Sequence, residues 1–209
     1  MKLTWLGHSC FKIEDNGFTV ILDPYSNDTV PGYRNLEGEE ADLVLCSHGH
    51  GDHCAADLIE KKEGGENPFT VETIDTWHDE VQGAKRGTNK ITILTDKDGV
   101  KVIHMGDIGC ELTEEQYEKL QGADALMIPV GGFYTVEPDL AKKMADRIGA
   151  AVTIPMHYRG LNFGYPVIAE LNDFADLCGD IQLYGSSLDI TKGMMKQTAI
   201  MVPLYAAGK

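Results

Sequence analysis

The chain has 209 residues, with 18 Lys and Arg against 33 Asp and Glu, so its formal net charge is −15. Hydrophobic residues make up 43% and charged residues 24%, which is ordinary for a globular protein and argues against wholesale disorder. An acidic surface of this kind repels phosphate backbones, so nucleic acid is a poor candidate for a partner.

The first half of the chain is predicted to consist of short strands joined by tight turns. Strands are expected at residues 3–6, 11–14, 18–22, 42–46, 69–74, 91–95 and 100–104. Asp15-Asn16-Gly17 is a strong signal for a hairpin turn between the second and third of these. Residues 26–40 are expected to form a loop, and residues 54–62 are expected to form a helix.

The second half alternates between strands and helices. Helices are predicted over residues 113–120, 138–148 and 166–178, and strands over 125–129, 152–155, 181–184 and 199–204. Pro138 is placed to open the second helix and Gly149 to end it. No segment resembles an interdomain linker, so one α/β domain over residues 1–209 is predicted, with two packed sheets and helices outside.

The five cysteines do not suggest a disulfide framework, because their number is odd and no Cys-x-x-Cys pair occurs. A reducing cytoplasm is therefore the expected location. Cys46 is expected in the core, and Cys54 is expected to be a small buried residue that starts a helix. The first residues do not resemble a signal peptide, and no long apolar run predicts a membrane span.

Three of the seven histidines fall within six residues, His48-Gly49-His50-Gly51-Asp52-His53. At this composition the pattern is expected by chance about 0.0007 times in a chain of this length. Side chains at i and i+2 of an extended chain point to the same side, so His48 and His50 can bind one cation. The glycines permit a sharp bend that brings Asp52 and His53 toward a second cation. A polar surface loop is the alternative.

The motif resembles that of the metallo-β-lactamase superfamily, which carries H-x-H-x-D-H after a buried strand and then a His, an Asp and a His. His78, Asp107 and His157 each follow a predicted strand, so the resemblance covers residues 1–160. Shorter matches resemble the subgroup that contains ascorbate-6-phosphate lactonase and N-acyl-phosphatidylethanolamine phospholipase D: Leu6-Gly7-His8-Ser9-Cys10-Phe11, Leu22-Asp23-Pro24 and Arg86-Gly87-Thr88-Asn89.

The resemblance implies a four-layer αβ/βα sandwich with two mostly antiparallel mixed sheets. It also implies two divalent metal ions, with zinc favoured and manganese or iron as alternatives. Its ligand pattern assigns His48, His50 and His78 to one metal, Asp52, His53 and His157 to the second, and Asp107 to a bridge between them. Asp79, beside His78, is an alternative ligand.

The chemistry implied by such a site is hydrolysis by a metal-activated water molecule. Asp52 is expected to orient that water, and either Asp52 or a second water carries the proton to the leaving group. His8 is a candidate second catalytic residue, as a hydrogen-bond donor or a substrate contact, with an ordinary turn residue as the alternative. Asp23 is a candidate for holding the far nitrogen of a ligand histidine.

Three further residues are candidates for substrate binding. Tyr158 and Arg159 directly follow His157, and Arg159 could clamp a phosphate or carboxylate with two parallel hydrogen bonds. A surface salt bridge is an equal alternative for Arg159. Tyr134 could line the pocket or simply pack.

A dinuclear hydrolase of a small anionic ester, lactone or phosphodiester is the leading hypothesis for function. The alternatives are a mononuclear iron oxygenase on the same fold, a nucleic-acid processing enzyme and a non-catalytic metal-binding protein. The chain is short for the superfamily, so a homo-oligomer could be needed to close the pocket.

Overall fold

Two β-sheets share one apolar core in the computed structural model, which describes residues 1–63 and 65–206. In chain order the strands are β1 Lys2–Gly7, β2 Cys10–Asp15, β3 Phe18–Leu22, β4 Glu40–Ala41, β5 Leu43–Leu45, β6 Glu60–Lys61, β7 Thr70–Trp77, β8 Thr88–Thr95, β9 Lys101–His104, β10 Ala125–Pro129, β11 Val152–Met156, β12 Ile181–Leu183, β13 Ser187–Asp189 and β14 Gln197–Ile200. The helices are α1 Glu114–Leu120, α2 Pro138–Ile148 and α3 Leu171–Ala175, and a single 3₁₀ turn covers Ala56–Leu58.

One sheet has five strands in the order β13-β1-β2-β3-β5, and the other has seven in the order β12-β14-β11-β10-β9-β8-β7. The β2–β3 hairpin turns at Asn16 and Gly17, whose φ angles of 48° and 83° confirm the predicted turn. The five-stranded sheet is antiparallel except for the β3–β5 pair.

The seven-stranded sheet is more parallel than the sequence predicts. Its pairs from β9 to β12 run parallel, and only β7–β8 and β8–β9 are antiparallel. The connection between β10 and β11 contains α2, and a crossover helix returns the chain to the same end of the sheet, so the next strand must be parallel.

The core joins the inner faces of both sheets. Trp5 and Phe11 from the five-stranded sheet and Ile103 and Leu126 from the seven-stranded sheet are fully buried in one cluster. Strands β10 and β11 are buried along their whole length, as expected for central strands covered on both faces. This arrangement confirms the predicted α/β fold class of two packed sheets.

Helices α1 and α2 match their predicted positions because their ends are encoded locally. Thr113 caps α1 in a capping box: its hydroxyl accepts from Gln116 N at 3.3 Å, and Gln116 Oε1 accepts from Thr113 N at 2.9 Å. Pro138 opens α2, and Gly149 ends it with a left-handed φ of 69°.

The prediction of a helix over residues 54–62 is wrong. Only the 3₁₀ turn Ala56–Leu58 forms, and Glu60–Lys61 is a strand that pairs with β4. Backbone groups of this segment bond to another part of the chain, since Ala55 N donates to Pro24 O at 2.8 Å. Loop residues around Tyr25 and Leu36, rather than a helix, therefore cover the outer face of the five-stranded sheet.

The helix predicted over residues 166–178 is reduced to Leu171–Ala175. Glu170 and Asp173 form a capping box that starts the helix late. Just before the helix the backbone bonds to another segment of the chain, because Ala169 O accepts from Arg159 N at 2.9 Å. No helix within residues 1–63 and 65–206 has the length and apolar character needed to cross a bilayer.

Replacing Thr113 with Ala should lower the free energy of unfolding by about 1 kcal/mol, because the first turn of α1 loses its side-chain acceptor. Chemical denaturation of both proteins measures the difference. Glu118→Ala, an exposed change inside the same helix, is the matched control and should change stability by less than about 0.5 kcal/mol. Equal stability of Thr113→Ala and the parent protein would contradict the role of the cap.

Candidate metal centre

Strand ends bring the predicted ligands together. Each predicted ligand or ligand segment lies just beyond the carboxyl end of a strand: residues 48–53 after β5, His78 after β7, Asp107 after β9 and His157 after β11. His8 follows β1 in the same way. Ligand sites of α/β proteins commonly form beyond the carboxyl ends of strands, where loops can carry side chains to a shared cleft.

Three histidines form the first cluster. His48, His50 and His78 each place a ring nitrogen within 4.8 Å of the others. The ring centroids of His48 and His50 are 4.7 Å apart, and those of His48 and His78 are 4.6 Å apart. This is the set that the family pattern assigns to one metal.

A second cluster contains His8, Asp52, His53 and His157, again with ligand atoms within 4.8 Å of one another. Three of these side chains are the predicted second set, and His8 is an additional member. His8 is fully buried, and its ring lies 4.2 Å from that of His157. Its Nε2 is 3.7 Å from Asp52 Oδ2.

Asp107 lies between the two clusters. Its Oδ2 is 3.4 Å from His78 Nε2 in the first cluster and 3.1 Å from both His53 Nε2 and His157 Nε2 in the second. Burial raises the pKa of this carboxyl, but His157 and His53 lower it well below its usual value. One buried carboxylate oxygen is therefore close to ring nitrogens from both clusters.

Asp23 fixes the orientation of two of the histidines. Its Oδ2 accepts from His53 Nδ1 at 2.8 Å and from Ser47 Oγ at 2.5 Å, and its Oδ1 accepts from Ser47 N at 2.6 Å. Ser47 Oγ in turn accepts from His48 Nδ1 at 2.9 Å. Both histidines therefore carry a proton on Nδ1, so Nε2 is the nitrogen that faces the clusters.

The backbone is unusual at three of these positions. His8, Asp23 and His157 have φ angles of 52°, 46° and 53°, in the left-handed region that non-glycine residues rarely adopt. Such conformations persist only where the surrounding contacts enforce them, and they concentrate at functional sites. Trp5 Nε1 donates to His8 O at 3.0 Å and contributes to this enforcement.

The loop that carries Asp107 is held by Asn89. Asn89 Oδ1 accepts from Asp107 N at 2.8 Å, and its Nδ2 donates to Met105 O at 2.9 Å. Gly106, with a φ of 57°, lies so close to Asn89 and Ser47 that a Cβ atom there would overlap both. His104, the remaining histidine, donates to Ser9 O at 2.8 Å and is structural.

The donor set fits divalent cations. His48 Nε2 and Asp107 Oδ1 are buried and have no hydrogen-bond partner among the described residues. Unpartnered buried polar atoms are rare in folded proteins and call for an explanation such as a bound ion. Imidazole with carboxylate ligands suits zinc, manganese or iron.

The protonation equilibria of the site also favour a cation. Burial lowers the pKa of His48 to about 3 and of His8 to about 4, with the neighbouring histidines adding to the effect, so both rings are neutral at neutral pH. Burial opposes charge on His53 as well, yet Asp107 and Asp23 raise its pKa well above the usual value. Positive charge is thus stabilised between these two carboxylates.

A pocket of about 300 Å³ opens onto both clusters. Asp107 and four members of the clusters line it: His50, Asp52, His78 and His157. The other lining residues are Arg86, Tyr134 and Tyr165. Its size is at the low end for small-molecule sites. Tyr165 donates from its hydroxyl to Asp52 Oδ2 at 3.1 Å.

Two predicted substrate residues lie elsewhere. Tyr158 is buried in the core, with its ring 5.5 Å from that of Trp5. Arg159 pairs with Glu170 at 2.8 Å and lines a different depression, so the surface salt bridge is its observed contact. Tyr134 does line the pocket, as predicted.

Tyr165 and Arg86 line the pocket but are not predicted as site residues from the sequence. No spacing rule connects Tyr165 to the ligands, because it follows the last of them by eight residues in an irregular segment. The only sequence signal for Arg86 is the short match Arg86-Gly87-Thr88-Asn89.

Asp79 is not a competing ligand for metal. Its two carboxylate oxygens accept from the backbone N–H groups of Val81, Gly83, Lys85 and Arg86 at 2.7–2.9 Å. Burial opposes its ionisation, but these four donors lower its pKa to about 2. Asp79 therefore organises the loop between β7 and β8.

The sequence does not suggest a disulfide framework, but Cys46 and Cys54 are joined by a disulfide bond, which the sequence analysis does not predict. Their Cα atoms are 5.3 Å apart, within the range for disulfides. The bond closes the loop that contains His48, His50, Asp52 and His53. Cys54 is exposed rather than buried, and the cysteines no longer argue for a reducing compartment.

A family model described as a beta-lactamase superfamily domain matches residues 2–157. Among curated relatives, a UPF0173 metal-dependent hydrolase from Thermoplasma acidophilum is 30% identical over 215 residues, which covers 88% of this chain and 93% of the relative. Another from Methanopyrus kandleri is 26% identical over 195 residues, 76% of this chain and 84% of the relative.

Solved structures agree. A proposed Zn-dependent hydrolase of the metallo-β-lactamase superfamily from Thermotoga maritima has a TM-score of 0.73 and 29% identity, covering 96% of this chain and 97% of that one. Igni18, a metallo hydrolase from Ignicoccus hospitalis, shares the fold with a TM-score of 0.61 at 22% identity, over 84% of this chain and 89% of that one. The chain belongs to the metallo-β-lactamase superfamily, and its class is that of the metal-dependent hydrolases.

Alkylation of the denatured, unreduced protein should modify Cys10, Cys110 and Cys178 but not Cys46 or Cys54, because disulfide sulfurs do not react with iodoacetamide. Peptide mass spectrometry measures this, and prior reduction should expose the remaining pair. Cys54→Ser is the control, in which Cys46 becomes reactive without reductant. Modification of Cys46 and Cys54 in the unreduced parent would contradict the bond.

Proposed function

We propose that this protein hydrolyses a small anionic ester, lactone or phosphodiester with a water molecule activated by two divalent metal ions. The observation that carries the proposal is the position of Asp107, whose Oδ2 lies within 3.4 Å of ring nitrogens from both histidine clusters. One carboxylate oxygen in that position suits two cations held side by side.

In this proposal His48, His50 and His78 hold the first metal, and Asp52, His53 and His157 hold the second, with Asp107 between them. His8 belongs to the second cluster, and its neutral, unpartnered ring is available to the second metal or to a substrate oxygen. The metals, when bound, lower the pKa of a water molecule and polarise the scissile oxygen.

The chain's own residues orient the groups of the site and accept a proton. Asp52 faces the pocket and is held by the Tyr165 hydroxyl, so its carboxylate is oriented toward the space beside the clusters. Burial raises the pKa of Asp52, but His8 and His53 lower it below its usual value, so it is ionised and able to accept a proton. Asp23 and Ser47 keep His53 and His48 in the ligand tautomer.

Zinc is the proposed metal. Manganese and iron are the alternatives, because imidazole and carboxylate ligands accept all three metals. Two divalent ions would reverse the local charge in a pocket of a protein with net charge −15, and an anionic substrate would then be attracted. The proposed partner is accordingly a small anionic molecule.

The purified parent protein should bind about two equivalents of metal per chain, as counted by elemental analysis after zinc loading. His50→Ala and His157→Asn should each lower the count to about one, because each removes one nitrogen donor from one cluster. Asn is chosen at 157 since it tolerates a positive φ.

Asp57→Asn, an exposed change in the neighbouring 3₁₀ turn, is the control and should leave the count unchanged. Two equivalents retained in both ligand variants would refute the assignment. One equivalent of iron in the parent would favour an oxygenase instead.

Asp52→Asn should reduce kcat about 100-fold or more, because an amide cannot accept the proton of the attacking water. Hydrolysis of para-nitrophenyl acetate and bis(para-nitrophenyl) phosphate by the zinc-loaded enzyme provides the assay, with the zinc content of the variant measured beside it. Asp57→Asn again serves as control. A kcat within twofold of the parent at equal zinc content would exclude Asp52 from catalysis.

A further inference from the structure

Arg86 is the one arginine or lysine among the described residues that line the pocket beside the two clusters. It is half-buried, and no acidic side chain in residues 1–63 and 65–206 forms an ion pair with it. By contrast, Arg147 and Arg159 pair with Glu114 and Glu170. A guanidinium without a carboxylate partner is notable at a site in a chain that carries 33 acidic residues.

The position of Arg86 is built by several contacts. Its backbone N–H donates to Asp79 Oδ2 at 2.7 Å, which fixes the loop. Its Nη2 donates to Phe133 O at 2.9 Å, and its guanidinium carbon lies 5.6 Å from the centre of the Tyr134 ring. A guanidinium has five N–H donors, so donors remain for a ligand.

Two tyrosines connect Arg86 to the metal clusters. The rings of Tyr134 and Tyr165 are 5.8 Å apart, and the Tyr165 hydroxyl donates to Asp52 Oδ2. Arg86 therefore lines the same pocket as the proposed ligands, with this aromatic pair between them. A molecule spanning the pocket would meet metals at one end and a cation at the other.

We propose that Arg86 binds a second anionic group of the substrate, a carboxylate or a phosphate that is not itself attacked. The inference rests on the proposed function, because it takes the hydrolysed bond to lie at the metals. It specifies a bifunctional substrate, in which a short spacer separates the scissile ester, lactone or phosphodiester from an anion. Arginine suits that anion because its planar fork can donate two parallel hydrogen bonds to one carboxylate or phosphate.

Isothermal titration calorimetry of the zinc-loaded protein tests the binding directly. The probes are succinate, glutarate and adipate, each compared with the monocarboxylate of the same chain length, and phosphonoacetate with acetate. The parent should bind at least one dianion about 10- to 100-fold more tightly than its monoanionic counterpart. The relative affinities of the dicarboxylates and the phosphonate identify which anion Arg86 prefers.

Arg86→Gln should abolish this preference, whereas Lys85→Gln should keep it. Lys85→Gln is the matched control because it removes the same charge from the same loop, and the Lys85 side chain pairs with Glu80. Thermal unfolding and zinc content of both variants establish that the fold and the metal site are intact. A parent without any dianion preference, or a preference that survives in Arg86→Gln, would overturn the proposal.

Kinetics supply the second readout. Arg86→Gln should raise KM for para-nitrophenyl hemisuccinate about 10-fold or more with little change in kcat, a larger rise than for para-nitrophenyl acetate, and Lys85→Gln should leave the KM for both esters unchanged. If the zinc-loaded parent hydrolyses neither ester, nor a lactone or phosphodiester, the proposed function fails. The calorimetric comparison still decides the role of Arg86 in that case, so the two failures are distinguishable.

Discussion

The arrangement of the site depends on one buried carboxylate, that of Asp23. By accepting hydrogen bonds from His53 Nδ1 and from the backbone and hydroxyl of Ser47, it determines which nitrogen of two histidines carries the proton. Without that constraint, a neutral imidazole could present an N–H to the metal instead of a lone pair. Asp23 adopts a left-handed φ to reach this position, so the backbone strain and the choice of tautomer have the same origin.

The two sheets explain how residues far apart in the chain meet. Central strands β10 and β11 are buried throughout, and the shared core holds both sheets together. Loops at the carboxyl ends of the strands can then vary in sequence and conformation while the strands keep their positions. One loop carries His157, another carries Asp107, and the β5 loop carries four side chains of the clusters, so a rigid scaffold sets the separation of these loops.

The sequence was most informative where one local rule decides the outcome. Thr113, Pro138 and Gly149 mark helix ends through their own chemistry, and the H-x-H-x-D-H spacing with three later residues identified the clustered side chains. Prediction failed where distant segments decide. Cys46 and Cys54 become neighbours only when the ligand loop folds back, Arg159 turns away to Glu170, and Tyr165 enters the pocket from a segment without periodicity.

The Cys46–Cys54 bond has a consequence for the energetics of metal affinity. A cross-link closing a loop of this size removes about 2–3 kcal/mol of chain entropy from the unfolded ensemble, on the loop-closure model. Because the closed loop contains His48, His50, Asp52 and His53, these side chains are confined before any cation arrives. Less conformational freedom is then lost on binding, so the bond acts as preorganisation of the donor atoms as well as a covalent support for the fold.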